Sequence, residues 1–227
     1  MMKRVLAFLM TLLMVCSCAF AQENVNVYVS ITDDTGALVL AYEQVEVSDV
    51  DADGVISIGD ALAAAHAQKH ENGADAFGLA ATEFGLSMTK LWGVENGGSY
   101  GYSLNDASSW SLLDPVAEGD HVKAFVYTDL AMWSDTYSFF QTPAAEIKAG
   151  DALELLLQAN GYDENFAPVT FAVENAQLAI DGVGVDVWTD AEGKAAVSFE
   201  KFGTYVVSAF SGTMTLVAPV CIVTVIE

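Results

Sequence analysis

Strict alternation of apolar and polar residues opens the readable part of the chain. Val25-Asn26-Val27-Tyr28-Val29-Ser30-Ile31 puts Val25, Val27, Val29 and Ile31 on one face, which predicts a half-buried strand. Asp33-Asp34-Thr35-Gly36 supplies turn residues, and Leu38 to Val47 resumes as a second strand. The pattern then changes. Ala61-Leu62-Ala63-Ala64-Ala65-His66-Ala67-Gln68-Lys69-His70 is rich in strong helix formers and predicts the best helix in the protein, with Leu62 inward and His66, Lys69 and His70 in a last turn whose dipole favours positive groups. Gly73 to Gly85 reads as a loop and short helix carrying Phe77, Leu79 and Phe84. The apolar runs Leu86 to Val94 and Ser99 to Asn105 flank Glu95-Asn96-Gly97-Gly98, a hairpin signal. A turn at Val116 to Asp120 leads into the strand His121 to Thr128.

From about Ala144 short strands recur at regular spacing: Ile147 to Leu157, Gly184 to Asp190, Ala195 to Phe199, Thr204 to Ala209 and Cys221 to Val225. The expected organisation is a targeting segment over residues 1–21, an α+β domain over 22–140 and an all-β, immunoglobulin-like sandwich over 144–227.

The targeting segment is read from Lys3 and Arg4 ahead of the apolar run Val5 to Val15, followed by Ala19-Phe20-Ala21, the small-x-small form cut by signal peptidase. Maturation would then begin at Gln22 in a secreted protein. Val15-Cys16-Ser17-Cys18 loosely resembles a lipobox, so lipidation at Cys18 is the alternative. The apolar run is too short for a stable membrane anchor, and no later stretch is long enough to span a bilayer. Eight basic residues against 31 acidic ones give a formal charge of −23, and removal of Lys3 and Arg4 makes it two units more negative. All remaining bases are lysine, so the chain has no arginine for bidentate phosphate contacts and is a poor partner for nucleic acid or anionic membrane. Cys221 is the sole cysteine after cleavage; an intrachain disulfide is excluded, and a strand position makes it a buried structural thiol.

Candidate chemistry concentrates in Asp49-Val50-Asp51-Ala52-Asp53-Gly54-Val55-Ile56-Ser57-Ile58-Gly59-Asp60. Oxygen-bearing side chains at positions 1, 3, 5, 9 and 12 with glycine at 6 match the spacing of an EF-hand-type calcium loop. A hard cation wants six to eight oxygens. Asp49, Asp51 and Asp53 would aim at one point, Val55 would offer its carbonyl, Ser57 would bind directly or through water, and Asp60 would close the site from the helix, while Ile56 turns into the core. The other reading is an acidic surface turn without metal, in which three crowded carboxylates repel one another. The strand ahead of the loop and the aspartate at position 12 resemble the calcium repeat of dockerins, although a dockerin has two repeats and this chain has one. His66 and His70, one helical turn apart, could also hold zinc or copper, without a third ligand nearby.

Asp60-Ala61-Leu62, Trp92-Gly93, Tyr100-Gly101-Tyr102-Ser103-Leu104-Asn105 and Glu118-Gly119-Asp120-His121-Val122 follow in an order that resembles the transcobalamin-like, β-grasp-related domain of bacterial surface proteins, over about Asn24 to Asp129. The resemblance implies an α+β unit; the helical barrel that completes the corrin site in vitamin B12 carriers has no counterpart here. Thr189-Asp190-Ala191-Glu192-Gly193-Lys194-Ala195 and Gly203-Thr204-Tyr205 resemble bacterial immunoglobulin-like domains, which implies a stalk, spacer or adhesive unit.

No Gly-x-Ser-x-Gly or comparable catalytic context surrounds any serine, and the three histidines form no triad pattern, so the chain reads as non-catalytic. Trp92, Tyr100, Tyr102 and Trp110 are the candidate ligand-binding residues, either as a stacking platform or as core. Two function classes remain. One is a calcium-stabilised surface binding or adhesion protein for a glycan, protein or small molecule. The other is a carrier for a corrinoid or other flat ligand, with cohesin docking through the acidic loop as a third possibility.

Overall fold

The computed structural model describes residues 23–227. The expected signal segment, its cleavage point before Gln22 and the Cys18 lipidation site lie outside the described residues. The alternating N-terminal run forms β1 (Val25–Thr32), which the Asp33 turn folds back into the antiparallel β2 (Leu38–Val47). Val29 faces Glu43 and Ile31 faces Leu40, so Ala41 and Tyr42 together oppose Ser30 in a bulge. Tyr42 takes a φ of +51° there, and its N–H donates to Ser30 Oγ at 3.0 Å.

The helix α1 (Ile58–Lys69) starts three residues earlier than the alanine run, because Ser57 is its N-cap and Asp60 completes a capping box. Ile58, Ala61, Leu62, Ala65 and His66 form its buried stripe at helical spacing. That stripe lies across β2, β1 and the strand His121–Val126. A single 3₁₀ turn, Gly73–Ala76, then leads into the hairpin of β3 (Gly78–Thr82) and β4 (Gly85–Lys90). Of the loop and short helix expected between Gly73 and Gly85, only this 3₁₀ turn is helical, and Leu79 and Phe84 fall in the hairpin instead. Residues 78–82 pair with 85–90, and cross-strand pairing decides a stretch whose periodicity is weak.

β5 (Tyr100–Leu104), β6 (Ala107–Ser108) and β7 (His121–Val126) complete a sheet of order β2-β1-β7-β5-β6, with β7 parallel to β1 and antiparallel to β5. The hairpin expected around Glu95 to Gly98 is absent: β4 pairs with β3 and β5 with β7. The turn forms earlier, at Trp92-Gly93, where φ values of +50° and +82° close Leu91 onto Val94.

The rest is a two-layer sandwich built from β8 (Thr136–Phe140), β9 (Ala144–Lys148), β10 (Ala152–Tyr162), β11 (Pro168–Ala172), β12 (Ala176–Ile180), β13 (Val183–Trp188), β14 (Lys194–Ser198), β15 (Gly203–Ser211), β16 (Leu216–Val217) and β17 (Cys221–Ile226). One sheet runs β11-β10-β8-β16 with β14 also on β10; the other runs β13-β12-β15-β17-β9. Phe140, Leu155, Leu157, Leu178, Val207 and Val223 fill the space between them, together with the buried Cys221 thiol, whose pKa burial pushes up to about 12. The single strand expected over Ile147 to Leu157 is cut at Gly150, which takes a φ of +84° and sends β9 to one sheet and β10 to the other. β8, which lies just before the division expected at residue 140, pairs with β10 and β16.

The α+β class expected of the first unit is overturned. Seventeen strands accompany one α-helix of 12 residues among the described residues, so the chain is mostly β. No described helix is long and apolar enough to cross a membrane. Both faces of β7 are buried. Val122, Ala124 and Val126 belong to the core under α1, while Phe125 packs with Tyr137 and Val217 of the sandwich.

Candidate metal loop and aromatic cleft

β2 delivers the chain to the acidic loop, and α1 takes it away. Oxygens of Asp49, Asp51 and Asp53 lie within 4.8 Å of one another, and this cluster could hold a metal ion. Backbone amides shape the curl: Asp49 Oδ2 accepts from Gly54 N–H at 2.8 Å, and Asp53 Oδ1 accepts from Val55 N–H at 2.8 Å. Gly54 adopts a φ of +93°, and Ile56 is buried as its position in the loop demands. The backbone N–H of Asp53 favours ionisation of Asp51, but slight desolvation and the fields of Asp53, Asp60 and Asp49 outweigh it and raise the Asp51 pKa. Negative charge is thus under-compensated at this point of the surface.

The remaining loop positions do other work. Asp60 Oδ2 accepts from the Ser57 N–H at 2.9 Å and its hydroxyl at 2.7 Å, and Oδ1 accepts from Val50 N–H at 3.0 Å. Ser57 and Asp60 therefore serve the helix cap, and Val55 contributes its N–H to the turn. The structure brings together three of the six expected ligands. A cation at the three aspartates would need the Val55 carbonyl, water or a turned Asp60 to reach the usual oxygen count.

His66 and His70 are not a metal pair. His66 Nδ1 meets the Leu62 carbonyl at 2.6 Å and Nε2 meets the Trp92 N–H at 2.9 Å, so both ring nitrogens are occupied. The partners set the tautomer: Nδ1 donates and Nε2 accepts. Burial drives the His66 pKa down to about 4.

The four candidate ligand-binding aromatics do not share one surface. Trp92 is half-buried against the edge of His70, with centroids 4.6 Å apart. The Tyr100 hydroxyl lies 2.9 Å from the carbonyls of both Thr89 and Val94 and accepts from Asn96 N–H at 3.2 Å, which ties β5 to the preceding turns. Tyr100 and Tyr102 line a cleft of about 110 Å³ with Leu86, Ser87, Met88 and Gly98. Trp110 is 86% exposed in the segment between β6 and β7. A second cleft of about 220 Å³ also includes Tyr100 and is lined by Gly98, Ser99, Tyr100, Tyr127 and Trp133. Tyr127 and Trp133 escaped the sequence reading; the signal available was Asp129-Leu130-Ala131-Met132-Trp133-Ser134-Asp135, an apolar tip between two aspartates.

One buried pair has the geometry of a nucleophile and its base: Ser30 Oγ lies 2.9 Å from His121 Nε2. Both residues are buried, and Ser30 Oγ also accepts the bulge N–H of Tyr42. The pair closes the β1–β2 irregularity, with Tyr42 edge-on to the His121 ring at 4.8 Å.

No family model, curated protein or solved structure matches this chain.

Proposed function

We propose that the chain is an exported, non-catalytic binding or adhesion protein of a bacterial surface, with calcium bracing its first unit and the sandwich serving as spacer. The observation that carries this reading is the convergence of Asp49, Asp51 and Asp53 between β2 and α1, where a cation would relieve their mutual repulsion and fasten strand to helix. Calcium suits an all-oxygen donor set better than zinc or copper does. The carrier reading is weaker. Clefts of about 110 and 220 Å³ fall below the roughly 300 Å³ at which drug-sized ligand pockets begin.

Linkage predicts a modest effect. A site of extracellular type, with Kd of about 10⁻⁴ to 10⁻³ M, would stabilise the fold by on the order of 1 kcal/mol in millimolar calcium. The test pairs thermal melts in calcium and in EGTA with retention of the protein on cell-wall material. Melting that rises in calcium for the wild type but not for Asp51→Ala supports the metal; identical melts in the two buffers remove it. Retention on the wall material in calcium supports surface binding, and its absence removes the adhesion role.

A further inference from the structure

The 220 Å³ cleft beside Tyr100 has a built wall. Asp129 Oδ1 accepts from the N–H groups of Ala131 and Met132, Asp129 Oδ2 accepts from the Ser134 hydroxyl, and Asp135 Oδ1 accepts from Thr128. Those bonds fix the loop that carries Trp133, whose indole N–H reaches Ser99 Oγ at 3.3 Å. Trp133 is held this way while 62% exposed, in a backbone conformation with φ of +50° that a bulky residue rarely adopts. A hydrophobic side chain so placed gains little for the fold.

The lining selects among ligand chemistries. The Tyr100 hydroxyl and the Trp133 indole N–H are both engaged already, and the Ser99 backbone is taken by Asn96 and Tyr127. Few free donors or acceptors remain for a hydroxyl-rich sugar. What remains, besides the Tyr127 hydroxyl, is three aromatic rings and nearby negative charge. Hydrogen bonds from Thr128 and from the Asp129 N–H hold the Asp135 carboxylate against the residues that follow Tyr127, and burial, followed by the field of Asp135, raises the Tyr127 pKa. Asp129 is held ionised by its hydrogen bonds. No base lines the cleft, and Lys90, close enough to Tyr100 to feel it, is paired with Glu95 at 2.8 Å.

We infer that the Tyr100–Tyr127–Trp133 cleft binds an organic cation of the trimethylammonium type, seated on ring faces with the Asp129 and Asp135 carboxylates supplying long-range attraction. This rests on the binding role proposed above and names its ligand class, and it does not depend on the calcium loop. A methylated ammonium needs no hydrogen-bond partner, which agrees with a lining in which the Tyr100 hydroxyl, the Trp133 indole N–H and the Ser99 backbone are already engaged.

Choline and its neutral isostere 3,3-dimethyl-1-butanol are the probes, titrated into the mature full-length protein by calorimetry, with the tryptophan indole N–H signals followed by NMR. The expected result is saturable choline binding that moves the Trp133 signal, at least tenfold weaker binding of the isostere, and weakening by added salt. Trp133→Ala should lower choline affinity at least tenfold while Trp133→Phe, which keeps a ring, retains most of it. Unchanged melting of both variants shows that the fold survives. Equal binding of choline and isostere, no saturable choline binding, or choline affinity untouched by Trp133→Ala would each overturn the assignment. If choline fails to bind while the protein is still retained on cell-wall material, the ligand class alone falls; if choline binds but retention is absent, the surface role falls and the cleft stands.

Discussion

Lys123 Nζ donates to the main-chain oxygen of Ser138 at 2.7 Å, and through that bond a fully buried lysine of β7 grips β8 of the sandwich. The ammonium also lies 4.8 Å from the centroid of the Tyr137 ring. Tyr137 in turn donates from its hydroxyl to Asp106 at 2.8 Å, and Asn160 donates to the Asp106 carbonyl at 2.7 Å. Burial lowers the Lys123 pKa to about 7, with Asp106 opposing the fall, and raises the pKa of Asp106 itself. The junction between the two units is therefore a polar network inside apolar surroundings.

The lysine makes stability rise with pH. Between about pH 7 and the ordinary lysine value of 10.5, the folded protein has released a proton that the unfolded chain still binds, so raising pH through this window favours folding. Lys123→Met should remove that rise, which amounts to on the order of 5 kcal/mol at most across the whole window. Urea denaturation at pH 7 and 9.5 for both proteins checks it: parallel slopes would place the pH dependence elsewhere.

His66 acts in the opposite range. Its folded pKa of about 4 lies below the ordinary 6.5, so stability is complete above pH 6.5 and falls as pH drops toward 4. Protonation would set an N–H at Nε2 against the N–H of Trp92. The loss should reach about 3 kcal/mol. Nitrogen NMR of the imidazole at pH 5.5 should find the Nδ1–H tautomer still neutral; an imidazolium at that pH would contradict the geometry.

Asp60 and Asp51 should separate cap from metal site. Asp60→Ala loses the capping box and three hydrogen bonds, and should cost about 1–2 kcal/mol in calcium and in EGTA alike. Asp51→Ala, which breaks only an exposed contact with Asp53 N–H, should matter in calcium alone. Chemical denaturation of the two variants in both buffers distinguishes them. A calcium-dependent loss at Asp60 would mean that its carboxylate turns to the ion.

Three tight turns share one design. Asp33, Asp163 and Asp190 each accept from the N–H groups two and four residues on, and the residue three places after each has a positive φ. Gly36 and Gly193 occupy that place in two of the turns, but Phe166 does so in the third, 85% exposed. Phe166→Gly should stabilise the fold by about 0.5–1 kcal/mol through relief of left-handed strain, partly offset by glycine's freedom in the unfolded chain. At Gly193 an added Cβ would stand 2.5 Å from the Leu157 carbonyl oxygen, so Gly193→Ala should destabilise by several times that amount. Thermal melts rank the two; equal small effects would refute the close approach.

Local chemistry sufficed for several parts of this protein. The alternation of β1, the Asp33 turn, the helix that follows the acidic loop and the strand from His121 all read correctly, because each is dictated by side-chain period or turn residues within a few positions. The spacing of Asp49, Asp51 and Asp53 was likewise enough to predict their convergence. Tertiary structure alone decided the rest. Residues 78–90 became a hairpin because pairing between β3 and β4 outweighed weak helical preference. Asp60 went to the cap because Ser57 and Val50 offered three donors at once. Lys123 is buried because β8 covers the second face of β7, and the cleft at Trp133 exists because β5 and the loop after β7 meet there. These outcomes depend on partners distant in sequence, and no local pattern encodes which partner arrives.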